Sequence, residues 1–243
     1  MSTYRAASGA GIRAGCLAVS VALLAAGATR PGIINCVEGR ALLDGKPAAV
    51  DGSGNLAIGP GRLLETEKGR VEVLLTPGVF LRVAEGSAVR MAGAPADQVR
   101  LELLRGEILI EAAVTDRRHP LEVLDHGTEA RIVRGGVYEF HASGTGGGRA
   151  VPLHPRGDDA DPLYRWSLQR AAQDASVAGW TAETMLALGE DGARYREDWY
   201  WNPWFGSWAF VPGKPYRVTP FGFGYYAPGA MHSTGPVFDD FQR

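Results

Sequence analysis

The chain has 243 residues, of which 45% are hydrophobic and 21% are charged, and its formal net charge is −2. This length is enough for one or two domains with an apolar core, and these fractions are those of an ordinary globular protein. The slightly negative charge argues against nucleic-acid binding, which requires a basic face, and against a polybasic membrane-binding patch.

Residues 1–28 have the pattern of a secretory signal peptide. Arg5 and Arg13 precede the apolar run of residues 16–26, and Ala26-Gly27-Ala28 is a small-x-small cleavage pattern. The alternative is an uncleaved anchor, but the run is shorter than the ~20 apolar residues of a membrane-spanning helix. We therefore expect an exported chain, periplasmic or extracellular, with no membrane span after cleavage. Cleavage leaves 23 basic and 27 acidic residues.

Cys36 is the single cysteine that follows the predicted cleavage point. A lone thiol forms no intrachain disulfide, so we expect packing to stabilise the fold. One interpretation is a small apolar side chain buried in a strand. The other is an intermolecular disulfide in an oxidising compartment.

Residues 33–142 consist of short β-type runs separated by turn residues. Asp44-Gly45 is a two-residue hairpin signal, and the period of two places Val99, Leu101 and Leu103 on one face. Runs of this kind every 8–12 residues are typical of all-β folds. We expect a mainly β protein, an antiparallel β-sandwich or roll of short strands.

The rest of the chain divides into three segments. Residues 143–160 are rich in Gly and Pro and predict a flexible linker. Residues 161–178 predict one helix, with Asp161 as its N-cap, Pro162 at the first helical position and Gly179 as its stop. Residues 179–243 predict an irregular aromatic-rich segment.

Aromatic side chains concentrate at the end of the chain, because residues 195–243 hold 15 of the 22 aromatic residues. Trp199 and Trp201 share a face if that piece is extended. Two interpretations stay open for the segment: it wraps and covers the β domain, or it offers a stacking surface to a glycan or a partner protein. The candidate binding residues are Trp199, Trp201, Trp204 and Trp208.

The β region resembles the FecR domain family of bacterial envelope proteins. The resemblance rests on an ordered spacing of Gly, Leu and Val, comprising Gly61-x-x-Leu64-x-Thr66, Gly69-x-Val71-x-Val73-x-Leu75-x-x-Gly78-x-x-Leu81-x-Val83, Leu101-x-Leu103-x-x-Gly106-x-Ile108-x-Ile110 and Gly135-Gly136-Val137-Tyr138-x-Phe140. The four glycines at 61, 69, 78 and 106 are predicted to be turn residues with positive φ. The resemblance implies an exported, non-enzymatic binding or signalling module whose partner is an envelope protein.

No catalytic or metal-binding motif stands out in the sequence. Asp116 and His119, and likewise Asp125 and His126, lie close together but fit no standard ligand spacing. They are interpreted as solvated turn residues, and His141 and the other histidines receive no role. We therefore expect no cofactor and no enzymatic activity. A glycan- or cell-wall-binding protein is the alternative function, and a hydrolase is the least favoured one.

Overall fold

The fold was analysed in a computed structural model that describes residues 31–50, 53–92, 98–142, 161–189 and 195–230. The predicted signal peptide and the predicted linker lie outside these ranges. Strands make up 46% and helix 16% of the structure, which confirms the mainly β fold class. None of the described helical segments combines the length and hydropathy that crossing a membrane requires.

Fourteen strands and one helix are present in the described ranges. The strands of the main sheet are β1 (Ile33–Leu43), β2 (Lys46–Pro47), β3 (Leu63–Leu74), β4 (Val79–Val83), β5 (Ala88–Met91), β6 (Arg100–Arg105), β7 (Glu107–Ala112), β8 (Leu121–Asp125), β9 (Thr128–Ile132) and β10 (Gly136–His141). They are followed by helix α1 (Pro162–Ala187) and by β11 (Asp198–Asn202), β12 (Ser207–Val211), β13 (Tyr216–Val218) and β14 (Gly224–Tyr226).

The first ten strands form one curled sheet that divides into two wings at β3. The end of β3 pairs with β4, which continues through β7 to β10, whereas the beginning of β3 pairs with β5, which continues through β6 and β8 to β9. The inner faces of both wings share one apolar core. Val99, Leu101 and Leu103 all belong to this core, so the predicted face of that strand is confirmed.

Strands β4 and β7 and the end of β3, from Val71 to Leu74, are buried on both faces. Their inward side chains fill the shared core, and their outward side chains lie beneath the helix and the C-terminal hairpins. The outward positions are a mixture of apolar and charged residues. They are Glu72 and Leu74 in β3, Phe80 and Arg82 in β4, and Leu109 and Glu111 in β7.

The sheet differs from the expected antiparallel arrangement at one pair of strands. β6 and β8 pair in parallel, whereas the other ladders among the described strands are antiparallel. The reason is that β7 does not pair with β6. At Gly106, with φ of 78°, the chain leaves one wing for the other and returns later to place β8 beside β6.

Most of the predicted turns are present. Asp44 and Gly45 have φ of 51° and 74°, as a two-residue hairpin of type I′ requires. The prediction of positive φ is confirmed for Gly61, Gly78 and Gly106. It is wrong for Gly69, which lies within β3 opposite a bulge of β1, where a Cβ atom would approach the Glu38 carbonyl oxygen to 2.4 Å.

Helix α1 begins as predicted but extends nine residues beyond residue 178. Asp161 accepts a hydrogen bond from the Tyr164 N–H, and Pro162 is at the first helical position. Gly179 does not end the helix, because the buried stripe continues through Thr181, Ala182 and Met185. Packing of that stripe outweighs the cost of about 1 kcal/mol that a helical glycine brings.

The C-terminal segment is more regular than predicted. β11 pairs with β12, and β13 pairs with β14, so two antiparallel hairpins follow the helix. Both hairpins pack on the outer face of the sheet, where Phe210 and Tyr225 join Leu74 and Phe80 in a second apolar cluster. The interpretation that the aromatic segment covers the β domain therefore agrees with the structure, and its description as irregular is wrong for residues 198–226.

Candidate functional site

A buried network of charged side chains lies between the sheet and helix α1. Glu72 and Arg82 face each other across β3 and β4, and the Arg82 Nε donates to Glu72 Oε2 over 3.0 Å. The Arg82 guanidinium also donates to Glu111 Oε2 over 2.8 Å and to Asp174 Oδ2 over 3.2 Å. From the helix, Arg170 donates to Glu72 Oε1 and Asp174 Oδ1, each over 2.8 Å. Three carboxyl groups thus surround two guanidinium groups.

Asn35 of β1 connects the network to the β11–β12 hairpin. Its side-chain amide donates to Glu72 Oε1 over 3.0 Å, and its side-chain oxygen accepts from the Trp208 N–H over 2.9 Å. The same oxygen accepts from the Ser207 hydroxyl over 3.2 Å. One buried amide therefore orients both the Glu72 carboxylate and the beginning of β12.

Burial and charge separate the pKa values of these carboxyl groups. Burial alone would raise the pKa of Glu72, but Arg170 and Arg82 hold it at about 2. Burial and the neighbouring Glu72 charge raise the pKa of Asp174 well above its ordinary value. Burial also raises the pKa of Glu111, and Arg82 offsets this only in part. The guanidinium groups thus favour the charged form of Glu72 most strongly, whereas burial and the Glu72 charge disfavour the charged form of Asp174.

Such a network holds layers together and is closed to ligands. The side chains of Arg82, Glu72 and Glu111 have no exposed surface. The shifted pKa values mark the cost of burial and do not mark a cleft in which a substrate meets an acid or a base. The network consequently fixes where helix α1 lies on the sheet.

The four predicted binding tryptophans lie in very different environments. Trp199 is 0% exposed and Trp208 is 9% exposed, and both belong to the second apolar cluster. As predicted, Trp201 shares the face of Trp199, and it is half-buried against the same cluster. The prediction that all four residues form one stacking surface is therefore wrong. The Trp199 ring is in edge-to-face contact with the Phe80 ring, with 5.1 Å between the ring centroids. Only Trp204 remains open to solvent, at 62% exposure.

The tip of hairpin β11–β12 places two exposed aromatic side chains on a fixed support. Trp204 and Phe205, 50% exposed, occupy the turn between the strands. The preceding Asn202 is buried, and its side-chain amide donates to the Thr181 hydroxyl of α1 over 2.9 Å. The Asn202 oxygen in turn accepts from the Trp204 N–H over 3.1 Å. We call Trp204 and Phe205 the hairpin tip; Trp180, also largely exposed, adjoins the anchoring Thr181.

A second group of polar side chains lies at the β10 edge of the sheet. Glu107 of β7 and His141 of β10 are direct cross-strand partners, and Glu139 is two residues before His141 on the same face. One ligand atom from each of the three residues lies within 4.8 Å of the others. Burial raises the pKa of Glu139 to about 8, with further contributions from Glu107 and Asp161.

The other histidine and aspartate pairs lie at turns, as expected. The His119 Nδ1 lies 3.1 Å from Asp116 Oδ2, and both side chains are exposed. The His126 Nδ1 lies 2.6 Å from Asp125 Oδ1 in the turn between β8 and β9. The description as solvated residues is wrong for Asp125 alone, because its side chain is buried.

Cys36 lies in β1 beside Glu72 and is partly buried. Burial raises the pKa of its thiol to about 11, with small contributions from the nearby charges. A thiol with this pKa is almost entirely protonated at neutral pH, which makes it a poor nucleophile. The environment favours the interpretation as a packing residue over that as a disulfide partner.

Comparison with protein-family models, with curated proteins and with solved structures finds no match to this chain. Sequence reasoning located the aromatic segment but missed both charged groups. Their members are far apart in sequence: Arg82 and Asp174 are separated by 92 positions, and no local spacing connects them. The one available signal was the alternation within β3 and β4, where charged residues interrupt otherwise apolar strands.

Proposed function

We propose that the chain is an exported, non-enzymatic, FecR-like binding module that engages an envelope protein through the hairpin tip. The observation that carries the proposal is the exposure of Trp204 and Phe205 at the end of a hairpin whose other aromatic side chains are buried or, for Trp201, half-buried. Export is supported by the signal-peptide pattern of residues 1–28.

The hairpin tip has the physical properties of a binding anchor. Large aromatic side chains dominate the energetics of protein interfaces. Here they are displayed on a support that is held by the Asn202 contact with Thr181 and by the burial of Trp199. A support of this kind reduces the conformational entropy that is lost when a partner binds.

The remaining polar groups favour binding over catalysis. Glu72, Arg82 and Glu111 are enclosed beneath the helix, where they connect layers of the fold. The described histidines His119, His126 and His141 are exposed, and each lies next to a carboxylate. None of these contacts is the pairing of a nucleophile with an oriented base that covalent catalysis uses.

The proposal is tested by pull-down from envelope extracts with matched double variants. In the first variant Trp204 and Phe205 are both replaced by Ala; in the control, Tyr216 and Val218 are replaced, which are exposed residues of the other hairpin. A partner retained by the wild type and the control but lost by the tip variant supports the proposal. Equal retention by all three proteins, with the fold intact by circular dichroism, contradicts it.

Glycan binding is the second candidate function, favoured by the open indole ring of Trp204. Sugars stack on exposed aromatic faces, and a single exposed Trp gives weak, sequence-tolerant contacts of this kind. The test is retention on insoluble cell-wall polysaccharide of the wild type and of Trp204→Ala. Retention that is lost in Trp204→Ala while protein pull-down is unchanged would favour this function over the first.

A further inference from the structure

We propose that Glu107, Glu139 and His141 form a binding site for a divalent transition-metal ion, with Zn²⁺ as the best-matched ion. The inference is independent of the hairpin tip, which belongs to another part of the fold. It is carried by the convergence of two carboxylates and one imidazole at the edge of the sheet.

The backbone brings the three side chains together without local motif spacing. His141 and Glu107 are opposite each other in the β7–β10 ladder. Glu139 is two residues before His141, so both side chains are on the same face of β10. Two positions come from one strand and the third from its neighbour. This explains why no sequence pattern of metal ligands was visible.

The separations of the ligand atoms suit a tetrahedral ion. His141 Nε2 lies 3.6 Å from Glu139 Oε1 and 3.9 Å from Glu107 Oε1. Zinc bonds of about 2.1 Å at a tetrahedral angle place neighbouring ligand atoms about 3.4 Å apart. Small rotations of the side chains therefore bring all three atoms to bonding distance, and the fourth position is left for water or another ligand.

Two carboxylates and one imidazole crowd together at this site, and His141 forms ion pairs with the carboxylates only when it is protonated. Glu107 Oε1 is buried there and has no hydrogen-bond partner. Glu139 is close enough to Glu107 and to Asp161 for its charge to interact with both. The imidazole nitrogen among these carboxylates favours a transition-metal ion over Ca²⁺.

A bound ion would connect the sheet edge to the beginning of the helix. The Asp161 carboxylate caps α1 through its Oδ1 atom, which accepts from the Tyr164 N–H over 2.9 Å. Its position beside Glu139 places the helix N-terminus next to the proposed ligands. Metal binding is therefore expected to stabilise the contact between α1 and the β7–β10 edge as well as the edge itself.

The experiment is calorimetric titration of the purified full chain, without a polyhistidine tag, with Zn²⁺ alone and then with Ca²⁺. We expect one Zn²⁺ per chain, a rise in the thermal midpoint with Zn²⁺, and Ca²⁺ affinity at least about 10-fold weaker. His141→Ala should weaken Zn²⁺ binding at least about 10-fold, because even partners one step removed from a metal have effects of 10–100-fold. His141 is 62% exposed, so its removal does not endanger the fold.

Two further variants keep the test decisive. Glu139→Gln preserves the shape of the side chain and should weaken Zn²⁺ binding as His141→Ala does. His126→Ala, which removes another exposed histidine beside a carboxylate, should leave binding unchanged. The proposal is overturned by a dissociation constant above about 1 mM for the wild type. Unchanged affinity in His141→Ala, or equal affinity for Ca²⁺ and Zn²⁺, overturns it as well.

Discussion

Replacing Arg82 with Met should be among the most destabilising single changes in this protein. The substitution keeps an unbranched apolar side chain but removes the charge that Glu72, Glu111 and Asp174 all contact. Of these three carboxyl groups, Glu72 is the one whose pKa the guanidinium groups lower, so one charge pair is counted. At an effective dielectric constant near 20, one unit-charge pair about 4 Å apart contributes about 4 kcal/mol. Breaking a buried pair by removing one partner typically costs about 3–5 kcal/mol. The Coulomb calculation and this typical cost therefore have the same magnitude.

The assay is urea unfolding, monitored by tryptophan fluorescence, with Arg62→Met as the matched control. Arg62 forms a shorter ion pair, 2.6 Å to Asp44, but both side chains are exposed to solvent. Surface ion pairs contribute about 0–1 kcal/mol. The free energy of unfolding should therefore fall by about 3–5 kcal/mol in Arg82→Met and by less than about 1 kcal/mol in Arg62→Met.

The outcome that refutes this reasoning is a loss of less than about 1 kcal/mol in Arg82→Met, or equal losses in both variants. If Arg82→Met does not fold, Arg82→Lys provides the measurement. Lysine keeps the charge but not the three-pronged guanidinium geometry. The Arg82→Lys variant should fold, with a free energy of unfolding below that of the wild type. A free energy of unfolding equal to that of the wild type would show that the guanidinium geometry is unimportant here.

Three other predictions follow from burial and from the pKa shifts. Trp199→Ala should cost about 3–5 kcal/mol in urea unfolding, whereas Trp204→Ala should stay within about 0.5 kcal/mol of the wild type; similar values for both would contradict the assigned burial. Because the folded pKa of Asp174 is raised, its stabilising contribution is complete below its unfolded pKa and is lost as pH rises through the folded value. Glu72, with a folded pKa of about 2, has the opposite effect. Its stabilising contribution is present above its unfolded pKa and is lost as pH falls towards 2. The contribution of Asp174 to the free energy of unfolding should consequently decline as pH rises above the ordinary aspartate range, and Asp174→Asn should reduce that slope; an unchanged slope would be inconsistent with a raised pKa of Asp174. Cys36, with a pKa of about 11, should react with iodoacetamide at pH 8 much more slowly in the folded protein than after urea unfolding, and equal rates would contradict its burial.

Local chemistry made the strands and their turns predictable. The alternation of Val99, Leu101 and Leu103 needs only the geometry of one strand, and the Asp44-Gly45 turn needs only the φ preferences of two residues. The beginning of α1 was equally accessible, since an N-cap is a contact between Asp161 and a residue three positions later.

Non-local contacts explain the predictions that were wrong. Gly179 was expected to end the helix, but the residues after it pack on the hairpins, and packing across elements is not visible in helix propensity. Gly69 was assigned to a turn because glycine often adopts positive φ. In the structure it makes room for the bulged β1 backbone. Both glycines are explained by a neighbour that is distant in sequence.

The candidate sites show the same division. The exposed Trp204 was among the predicted residues because the aromatic-rich composition of residues 195–243 is visible in the sequence. The sequence could not separate it from the buried Trp199, five positions earlier. The group of Glu107, Glu139 and His141 depends on strand pairing that only the fold reveals. Its chemistry was therefore assigned no role before the register of β7 and β10 was known.

The doubly covered strands have a consequence for the order in which the protein is made. The outer face of the sheet is complete in sequence at His141, but its cover ends at Tyr226, 85 residues later. At 5–20 residues per second, synthesis of that interval takes about 4–17 s. Leu109 gains its partners in α1 early in this interval, but Leu74 and Phe80 wait for the hairpins, and Glu72 and Arg82 lie beside them on the outer face. Hydrated charges at these positions discourage sheets of nascent chains from associating. The same residues that are costly to bury in the finished protein thus interrupt the apolar surface of its half-made form.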